Sequence, residues 1–354
     1  MTVPHPEKLP LLGTPSARLQ AAAAAWFGER KGAGFAPRVH QAATRDGAFD
    51  PVSLGAGPRA AKLWRDRAEL TLPAVTRTQT EATEHGELHK RALQLTDGRV
   101  VESVSLPMGR GRRALCVSTQ VGCARACTFC ETGRLGLLRN LSAAEIVAQV
   151  VLERRARGEH PDTIVFQGMG EPLDNLDGLL PALEVLTDPR GLAFAHDKLT
   201  VCTVGHVPGI DALRELGFKR LNLALSLNHA DDEARARIMP RSVRYPLAEI
   251  QQALLRFRQR RNHTLSIHWC LLPGINDRAA DADAVAAFLA PLGRALLHLI
   301  PYNPGTAPIT RAPSEAEVAR FAALLRGRGV AVRRRITKGR SVMGGCGQLG
   351  AAQP

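Results

Sequence analysis

Short apolar segments alternate with helical patterns along the chain from about residue 114 onward. Each apolar segment is rich in Val, Ile and Leu and is followed by a loop and a helical segment, which is the pattern of a parallel sheet with crossover helices. The six predicted strands cover residues 114–119, 163–167, 198–203, 220–226, 264–271 and 295–300. Repeated β and α units predict an α/β fold built as a partial or complete barrel, in which the chemistry gathers where the strands end.

Local signals mark the ends of other elements. Ser142 and Ser314 each stand three residues before a Glu, which is the spacing of a capping box at a helix start. Residues 88–96 and 99–106 flank an Asp-Gly pair, and this pair suits the tight turn of a β-hairpin.

The chain upstream of the hairpin is rich in Ala and Arg and carries helical patterns at residues 17–27 and 59–70. We therefore expect a small N-terminal helical accessory domain. The predicted division is an accessory domain at 1–85, a β-hairpin linker at 86–108, a β/α core at 109–340 and a C-terminal tail at 341–354.

The charge balance indicates a polyanionic partner. Lys and Arg total 47 against 33 Asp and Glu, which gives a formal net charge of +14, and such a surplus favours nucleic acid or an acidic membrane surface. The most apolar stretch, at 285–302, is interrupted by Arg294, Pro291 and Pro301, so no segment is expected to span a bilayer. Because aromatic residues make up only 4% of the chain, we expect phosphate contacts by Arg and Lys rather than a broad platform for stacked bases.

The N-terminus lacks a charged region followed by a long apolar run, so no secretory signal is expected and the protein is predicted to be cytoplasmic. Its seven cysteines are then expected to be reduced thiols, ligands or catalysts.

Cys123, Cys127 and Cys130 follow the first predicted strand with C-x-x-x-C-x-x-C spacing. A zinc site would want a fourth Cys or His nearby, and none comes before His160. The spacing favours a [4Fe–4S] cluster on three thiolates over zinc, a disulfide or unrelated thiols, with one iron open to S-adenosylmethionine.

These residues carry a resemblance to a known family. The three-cysteine motif, with Phe129 before its last cysteine, resembles the radical S-adenosylmethionine (radical SAM) superfamily. The segments at 116–142, 166–172, 298–304 and 346–349 resemble the RlmN/Cfr family of RNA adenine methyltransferases, and the resemblance runs from about residue 88 to residue 350. It implies a partial (β/α)6 radical SAM barrel, the cofactors [4Fe–4S] and S-adenosylmethionine, and methylation of an adenine carbon in RNA.

The resemblance also implies which residues hold the cofactors. The implied cluster ligands are Cys123, Cys127 and Cys130, and the implied contacts to S-adenosylmethionine are Gly170, Glu171, Cys202, Ser226, Leu227, Asn228 and Asn303. For the first two contacts a plain βα turn is the alternative, and for the later ones ordinary polar capping at strand ends. Cys202 stands where the family has a serine, and Asn228 where it usually has a histidine.

In the family that the chain resembles, two further cysteines transfer the methyl group. The resemblance makes Cys346 the methyl carrier and Cys116 its partner in a transient disulfide, although each alone would be a small structural residue, as Cys270 most simply is. An adenine ring carbon is electrophilic, so a polar methyl donor cannot methylate it directly. A methyl group held on a thiol can lose a hydrogen to the 5′-deoxyadenosyl radical and add to the ring as a carbon radical. Glu102 matches the family's carboxylate base, with an exposed strand glutamate as the alternative.

Basic clusters at 110–113, 256–261 and 333–335, with Lys338 and Arg340, are interpreted as an RNA-binding rim rather than as solvated faces. The expected partners are RNA (rRNA or tRNA) and an electron donor such as flavodoxin or ferredoxin. At 338–341 the tail reads Lys-Gly-Arg-Ser where the family has an acidic Arg-Gly-Asp-Asp. A radical enzyme acting on a protein or small molecule and a non-catalytic iron–sulfur RNA-binding module are the alternatives.

Overall fold

A computed structural model describes residues 8–241 and 244–350. The strands are β1 (Leu9–Pro10), β2 (Ala68–Glu69), β3 (Ala74–Thr83), β4 (Gly86–Gln94), β5 (Val100–Gly109), β6 (Arg112–Val117), β7 (Gln120–Gly122), β8 (Leu137–Asn140), β9 (Thr163–Phe166), β10 (Leu199–Thr203), β11 (Asn222–Ser226), β12 (Leu265–Leu271), β13 (Ala295–Pro301) and β14 (Val332–Arg334). The α-helices are α1 (Ser16–Phe27), α2 (Glu29–Gln41), α3 (Pro58–Arg67), α4 (Glu131–Arg134), α5 (Ala143–Arg157), α6 (Leu176–Thr187), α7 (Val207–Glu215), α8 (Asp232–Ile238), α9 (Leu247–Phe257), α10 (Ala279–Leu289) and α11 (Glu315–Gly327).

Ten strands form the main sheet in the order β14-β13-β12-β11-β10-β9-β6-β5-β4-β3. From β6 to β14 all neighbours are parallel, whereas the pairs from β3 to β6 are antiparallel. The six predicted strands are confirmed to within two residues at each end, and so is the α/β class with crossover helices. Strand β14 escaped prediction because it holds only three residues and two of them are exposed arginines.

Both predicted capping boxes are present. Ser142 Oγ accepts a hydrogen bond from Glu145 N at 3.2 Å, and Ser314 Oγ accepts one from Glu317 N at 3.3 Å. These caps fix the starts of α5 and α11, and among the described residues no helix has the length and apolarity to cross a bilayer.

Alternation along the strands separates the apolar core from the chemistry. On β12, Trp269 is fully buried and stacks on Phe321 of α11 with ring centroids 6.0 Å apart. His268 and Cys270 therefore point to the opposite face, because successive side chains of a strand alternate. His268 lies beside His298 of β13 in the strand register, and their rings are 5.4 Å apart. The inner face of the barrel is thus the polar and thiol-bearing face.

The N-terminal region contains the two expected helices, α1 and α3, and a further helix, α2, gathered around an aromatic cluster. Trp64 is buried, and its ring centroid lies 5.4 Å from that of Trp26 and 5.6 Å from that of Phe27. The segment expected to be the helical accessory domain, 1–85, also contains β3, which extends the main sheet. The exposed Thr-rich residues of β3 show no apolar alternation that would have indicated a strand. The hairpin β4–β5 is confirmed and pairs with β6. The division into domains stays a prediction.

The tail after β14 crosses from one edge of the sheet to the other. It leaves the β14 edge at Arg335, whose backbone N donates to Leu299 O at 2.8 Å. On the opposite edge, Glu81 of β3 accepts from Gly339 N at 2.6 Å, and Lys338 Nζ donates to Pro107 O of β5. The tail therefore spans the open side of the incomplete barrel.

Candidate active site

The three motif cysteines lie on one loop that follows β6 and β7. The loop starts after Gly122, which has a φ of +77°, and a Cβ at this position would stand 1.8 Å from the carbonyl oxygen of Gly136. Cys123 N donates to that same oxygen at 2.8 Å, and Cys130 N donates to Cys127 O at 3.1 Å. The backbone therefore holds the three thiols in a tightly wound frame.

The three thiols share a desolvated environment. Cys123 and Cys127 are buried and Cys130 is half-buried. Burial raises the pKa of all three thiols, that of Cys123 to about 12. Two smaller influences act against this rise: backbone N–H groups of α4 lower the pKa of Cys130, and the positive charge of the buried Arg235 lowers the pKa of Cys127. The net effect still favours the protonated thiols, so binding of a metal centre would release their protons.

The chemistry of this donor set fits an iron–sulfur cluster. Three cysteine sulfurs from one loop, desolvated and supplied with N–H donors, are the ligands that such clusters take. In the part of the chain that the structure describes, no three Cys, His, Asp or Glu side chains are arranged to hold a single metal ion. The residues that would hold the cluster are the three motif cysteines.

The turn after β9 packs closely against the loop that leads to these cysteines. Gly168 N donates to Val117 O at 3.0 Å. Gly170 has a φ of +104°, and a Cβ there would stand 2.6 Å from the Gln120 side chain. Only glycine fits this close approach, so the turn brings its backbone and Glu171 next to the cluster loop.

Glu171 is a buried carboxylate, only 3% exposed. Its oxygens accept hydrogen bonds from Leu173 N at 3.2 Å and from Val204 N at 2.9 Å. Burial nevertheless raises the pKa of its carboxyl group to about 7. A desolvated carboxylate with a perturbed pKa beside Cys123 is typical of a ligand site rather than of a plain turn.

The other predicted cofactor contacts occupy different environments. Cys202 is buried on the inner face of β10, and Ser226 ends β11 half-buried. The Leu227 side chain belongs to the apolar core, which leaves only its backbone for a ligand. Asn228 has a φ of +55°, and its Oδ1 accepts from a backbone N–H of β12 at 2.9 Å. Their roles as cofactor contacts stay predictions.

The tail brings Cys346 to the mouth of the barrel. Asn303, which follows β13, donates from Nδ2 to Cys346 O at 3.4 Å. Glu131 N, just after the cluster loop, donates to Gly347 O at 2.8 Å. The Cys346 side chain is exposed, yet desolvation by the surrounding protein raises its thiol pKa. Both properties together describe an accessible thiol in a concave surface.

Cys116 faces the same space from β6. Burial and, to a smaller extent, the nearby Cys346 together raise the pKa of its thiol to about 12. Cys202 on β10 and Cys270 on β12 also interact electrostatically with Cys346. Thiols from three strands and the tail therefore line one interior space, and Cys270 joins this group although it was expected to be simply structural.

Glu102 lies on β5 and is 4% exposed, so the alternative of an exposed strand glutamate is wrong. Its Oε1 pairs with Lys90 Nζ at 2.8 Å, and its Oε2 accepts from Gly350 N at 2.7 Å. Glu102 is therefore in contact with the tail that carries Cys346.

Arg335 is a site residue that sequence reasoning missed. Its Nε donates to His298 Nδ1 at 3.4 Å, and its Nη2 lies 3.3 Å from His268 Nε2. Burial lowers the pKa of both histidines, that of His298 to about 4, so both are neutral partners. The charge of Arg335 acts on Cys346 and Cys116 and favours their thiolate forms. Its place in a run of three arginines hid this inward orientation.

The basic clusters are only partly free for a polyanion. Arg113 is buried, and its Nε donates to Ser105 Oγ at 3.0 Å. Arg256 pairs with Asp211 at 2.8 Å. Arg113 therefore does not fit the predicted RNA-binding rim, because long-range packing that no charge pattern reveals turns it inward. Arg335 is half-buried against two histidines, and its part in the rim stays a prediction.

Comparisons with known proteins match this geometry. The profile of the radical SAM superfamily matches residues 117–285. The chain is 41% identical over 288 residues to the dual-specificity RNA methyltransferase RlmN of Syntrophotalea carbinolica, covering 80% of this chain and 76% of that protein. It is 42% identical over 304 residues to a probable RNA methyltransferase of Sorangium cellulosum, covering 84% and 74% respectively. The crystal structure of a radical SAM methyltransferase from Sphaerobacter thermophilus matches with a TM-score of 0.87 and 34% identity, over 97% of this chain and 99% of that one.

The parallel barrel and the three-cysteine loop define a radical SAM enzyme. The identity to these relatives, over most of the chain, then identifies the family within this superfamily. The chain belongs to the RlmN family of radical SAM methyltransferases. The predicted family, the enzyme class and the two cofactors, a [4Fe–4S] cluster and S-adenosylmethionine, are confirmed.

Proposed function

We propose that this protein methylates an adenine carbon in RNA, carries the methyl group on Cys346 and releases the product through a transient disulfide with Cys116. The RNA substrate is supported by the relative from Syntrophotalea carbinolica, which is named a dual-specificity RNA methyltransferase. It is also supported by the formal net charge of +14, since Lys and Arg attract the phosphate backbone. Ribosomal RNA is the first candidate and tRNA the second. The cytoplasmic location and an electron donor such as flavodoxin or ferredoxin are part of this proposal.

The observation that carries the proposal is that Cys116 of β6 and Cys346 of the tail, 230 residues apart in sequence, lie close enough for their thiols to interact electrostatically. Cys346 is exposed while Cys116 is half-buried beneath the same mouth. An accessible carrier thiol beside a more buried one suits a first thiol that meets the substrate and a second that attacks the first.

The chain's residues would act in a fixed order. The Cys346 thiolate takes a methyl group and the methyl donor leaves as a thioether. When bound, the cluster and S-adenosylmethionine supply the 5′-deoxyadenosyl radical. The methyl group on Cys346 gives up one hydrogen atom to this radical, and its carbon bonds to the adenine ring. The ring radical formed in this way returns one electron to the redox chain that supplied it and loses its own ring proton, with Glu102 as the predicted base. Cys116 then attacks the sulfur of Cys346 as a thiolate, so that the disulfide forms while the electron pair of the broken carbon–sulfur bond stays on the carbon, which takes up a proton and becomes the methyl group of the product.

Arg335 and Glu171 have supporting roles in this proposal. Arg335 favours the thiolate forms of Cys346 and Cys116, because its positive charge lowers both pKa values against the rise that burial causes. Glu171 presents a hydrogen-bonded carboxylate beside the cluster loop, which suits the amino group of S-adenosylmethionine.

Mass spectrometry tests the proposal before any RNA substrate is known. Protein purified without oxygen from iron-replete cells is digested with trypsin, and the peptide 341–354 is fragmented. We expect one extra methyl group on Cys346. Incubation of Cys116→Ala with RNA should then leave a covalent protein–RNA adduct, because the second thiol is missing, whereas Cys270→Ala, a thiol in the same space, should not. An unmodified Cys346 in cluster-loaded protein, even after S-adenosylmethionine is added, would refute the carrier mechanism.

A further inference from the structure

A buried ion pair lies directly beneath the tail. Lys90 of β4 and Glu102 of β5 are 2% and 4% exposed, and Lys90 Nζ stands 2.8 Å from Glu102 Oε1. Their strands are adjacent in the antiparallel part of the sheet. Buried pairs of this kind contribute little net stability, so a purely structural explanation is weak.

Both members of the pair also bind the segment that carries Cys346. Lys90 Nζ donates to Met343 O at 3.0 Å, and Glu102 Oε2 accepts from Gly350 N at 2.7 Å. These two contacts lie three residues before and four residues after Cys346. The pair therefore closes a loop, residues 343–350, whose two ends it holds and whose middle is the exposed thiol.

Among the described residues, the remaining hydrogen bonds of this loop are neutral, and Leu349 packs into the apolar core. Thr132 Oγ1 donates to Leu349 O at 2.7 Å, and Gln348 Nε2 donates to Pro304 O at 2.9 Å. Hydrogen bonds to charged groups are roughly twice as strong as neutral ones. The contacts to Lys90 and Glu102 are thus expected to be the strongest hydrogen bonds that hold the loop within the described chain.

We propose that Lys90 is a positioning residue for methyl transfer, which acts with Glu102 to hold both ends of loop 343–350 and so fixes Cys346 over the barrel. This inference rests on the proposed role of Cys346 as methyl carrier. It gives Glu102 a task that is independent of any role as a base, because its carboxylate orients the tail through Gly350 N.

The experiment compares Lys90→Met with Arg91→Met in cluster-loaded protein. Arg91 is the matched control because it follows Lys90 on β4, points to the other face, is also buried and pairs with the buried Glu153 without touching the tail. Amide hydrogen exchange under anaerobic conditions reports on the loop. We expect exchange in 343–350 to rise about tenfold or more in Lys90→Met and to stay at the wild-type rate in Arg91→Met. The rate of methyl loading on Cys346 should fall with the faster exchange, and Lys90→Arg should restore both.

The double variant Lys90→Met/Glu102→Gln covers the case in which Lys90→Met does not fold. It leaves no unpaired buried charge, and the new amide oxygen can still accept from Gly350 N, so we expect faster exchange at the Met343 end alone. The proposal would be overturned if loop 343–350 exchanged no faster in Lys90→Met than in Arg91→Met. It would also be overturned if the loop exchanged no faster in the double variant than in Arg91→Met. If the wild-type loop exchanges slowly but Cys346 never carries a methyl group, the proposed function fails while the anchoring by Lys90 and Glu102 stands.

Discussion

Replacing Glu171 by Gln is expected to change how the stability of the cluster-free protein depends on pH. Glu171 is buried, and burial raises the pKa of its carboxyl group from 4.5 to about 7. The folded protein therefore binds this proton more tightly than the unfolded chain does. The stabilisation is complete below pH 4.5, is lost as the pH rises from 4.5 to about 7, and does not change further above that.

The size of the effect follows from the same two values. With about 1.4 kcal/mol for each pH unit between them, Glu171 lowers the free energy of unfolding by about 3 kcal/mol between pH 4.5 and pH 7. The glutamine side chain of the variant would not titrate. Its amide group, however, would replace one acceptor oxygen that now faces Leu173 N or Val204 N, which costs about 1–3 kcal/mol at every pH. The variant is expected to be less stable than the wild type at pH 5 and to match or exceed it at pH 8.

Urea denaturation of reduced, cluster-free protein at pH 5 and pH 8 measures this reversal. The informative quantity is the difference between wild type and Glu171→Gln at each pH, since the other titrating groups cancel in it. A difference that stays constant from pH 5 to pH 8 would refute the reasoning, because it would mean that Glu171 ionises in the folded protein as it does in the unfolded chain.

Three further substitutions test other parts of the structure. Gly122→Ala should lower the iron and labile-sulfide content of anaerobically purified protein, because a Cβ 1.8 Å from Gly136 O forces the cluster loop to move; full iron content would show that the loop yields. Arg113→Leu should reduce the free energy of unfolding by about 2 kcal/mol, because buried hydrogen bonds are lost. It should leave the RNA affinity measured by filter binding unchanged, and a weaker RNA affinity would mean that Arg113 contacts RNA after all. Trp64→Ala should cost about 3–5 kcal/mol in urea denaturation with the iron content unchanged, and a smaller cost would mean that the aromatic cluster repacks.

The strands of the barrel could be predicted because their outward side chains form a regular apolar pattern. Residues such as Trp269 and its neighbours on β12 alternate with polar ones, and this alternation survives in the sequence. Strands β3 and β14 lack it, since solvent covers most of their side chains. Edge strands are formed by backbone pairing with an existing sheet, which the sequence pattern does not record.

The site was predictable only where its residues are close in sequence. The cysteine loop and the turn at Glu171 are local motifs, whereas Lys90, Glu102 and Gly350 meet across some 250 residues. Pairing Cys116 with Cys346 required the resemblance to a family, because nothing in either segment indicates the other. These long-range contacts form only because the tail folds back across the sheet, and the sequence alone does not show that path.

The path of the tail also explains its unusual charge. Glu81 of β3 accepts from Gly339 N at 2.6 Å and from Ser341 N at 2.9 Å, and Ser341 Oγ donates to it as well. An aspartate at position 341, as the family pattern has it, would set a second carboxylate against Glu81, and two like charges at such a distance repel. Arg340 in turn donates from Nη2 to Asn303 Oδ1 at 3.2 Å. The basic tail is therefore matched by groups of this chain, so its reversed charge changes how the tail is anchored and does not by itself indicate a different substrate.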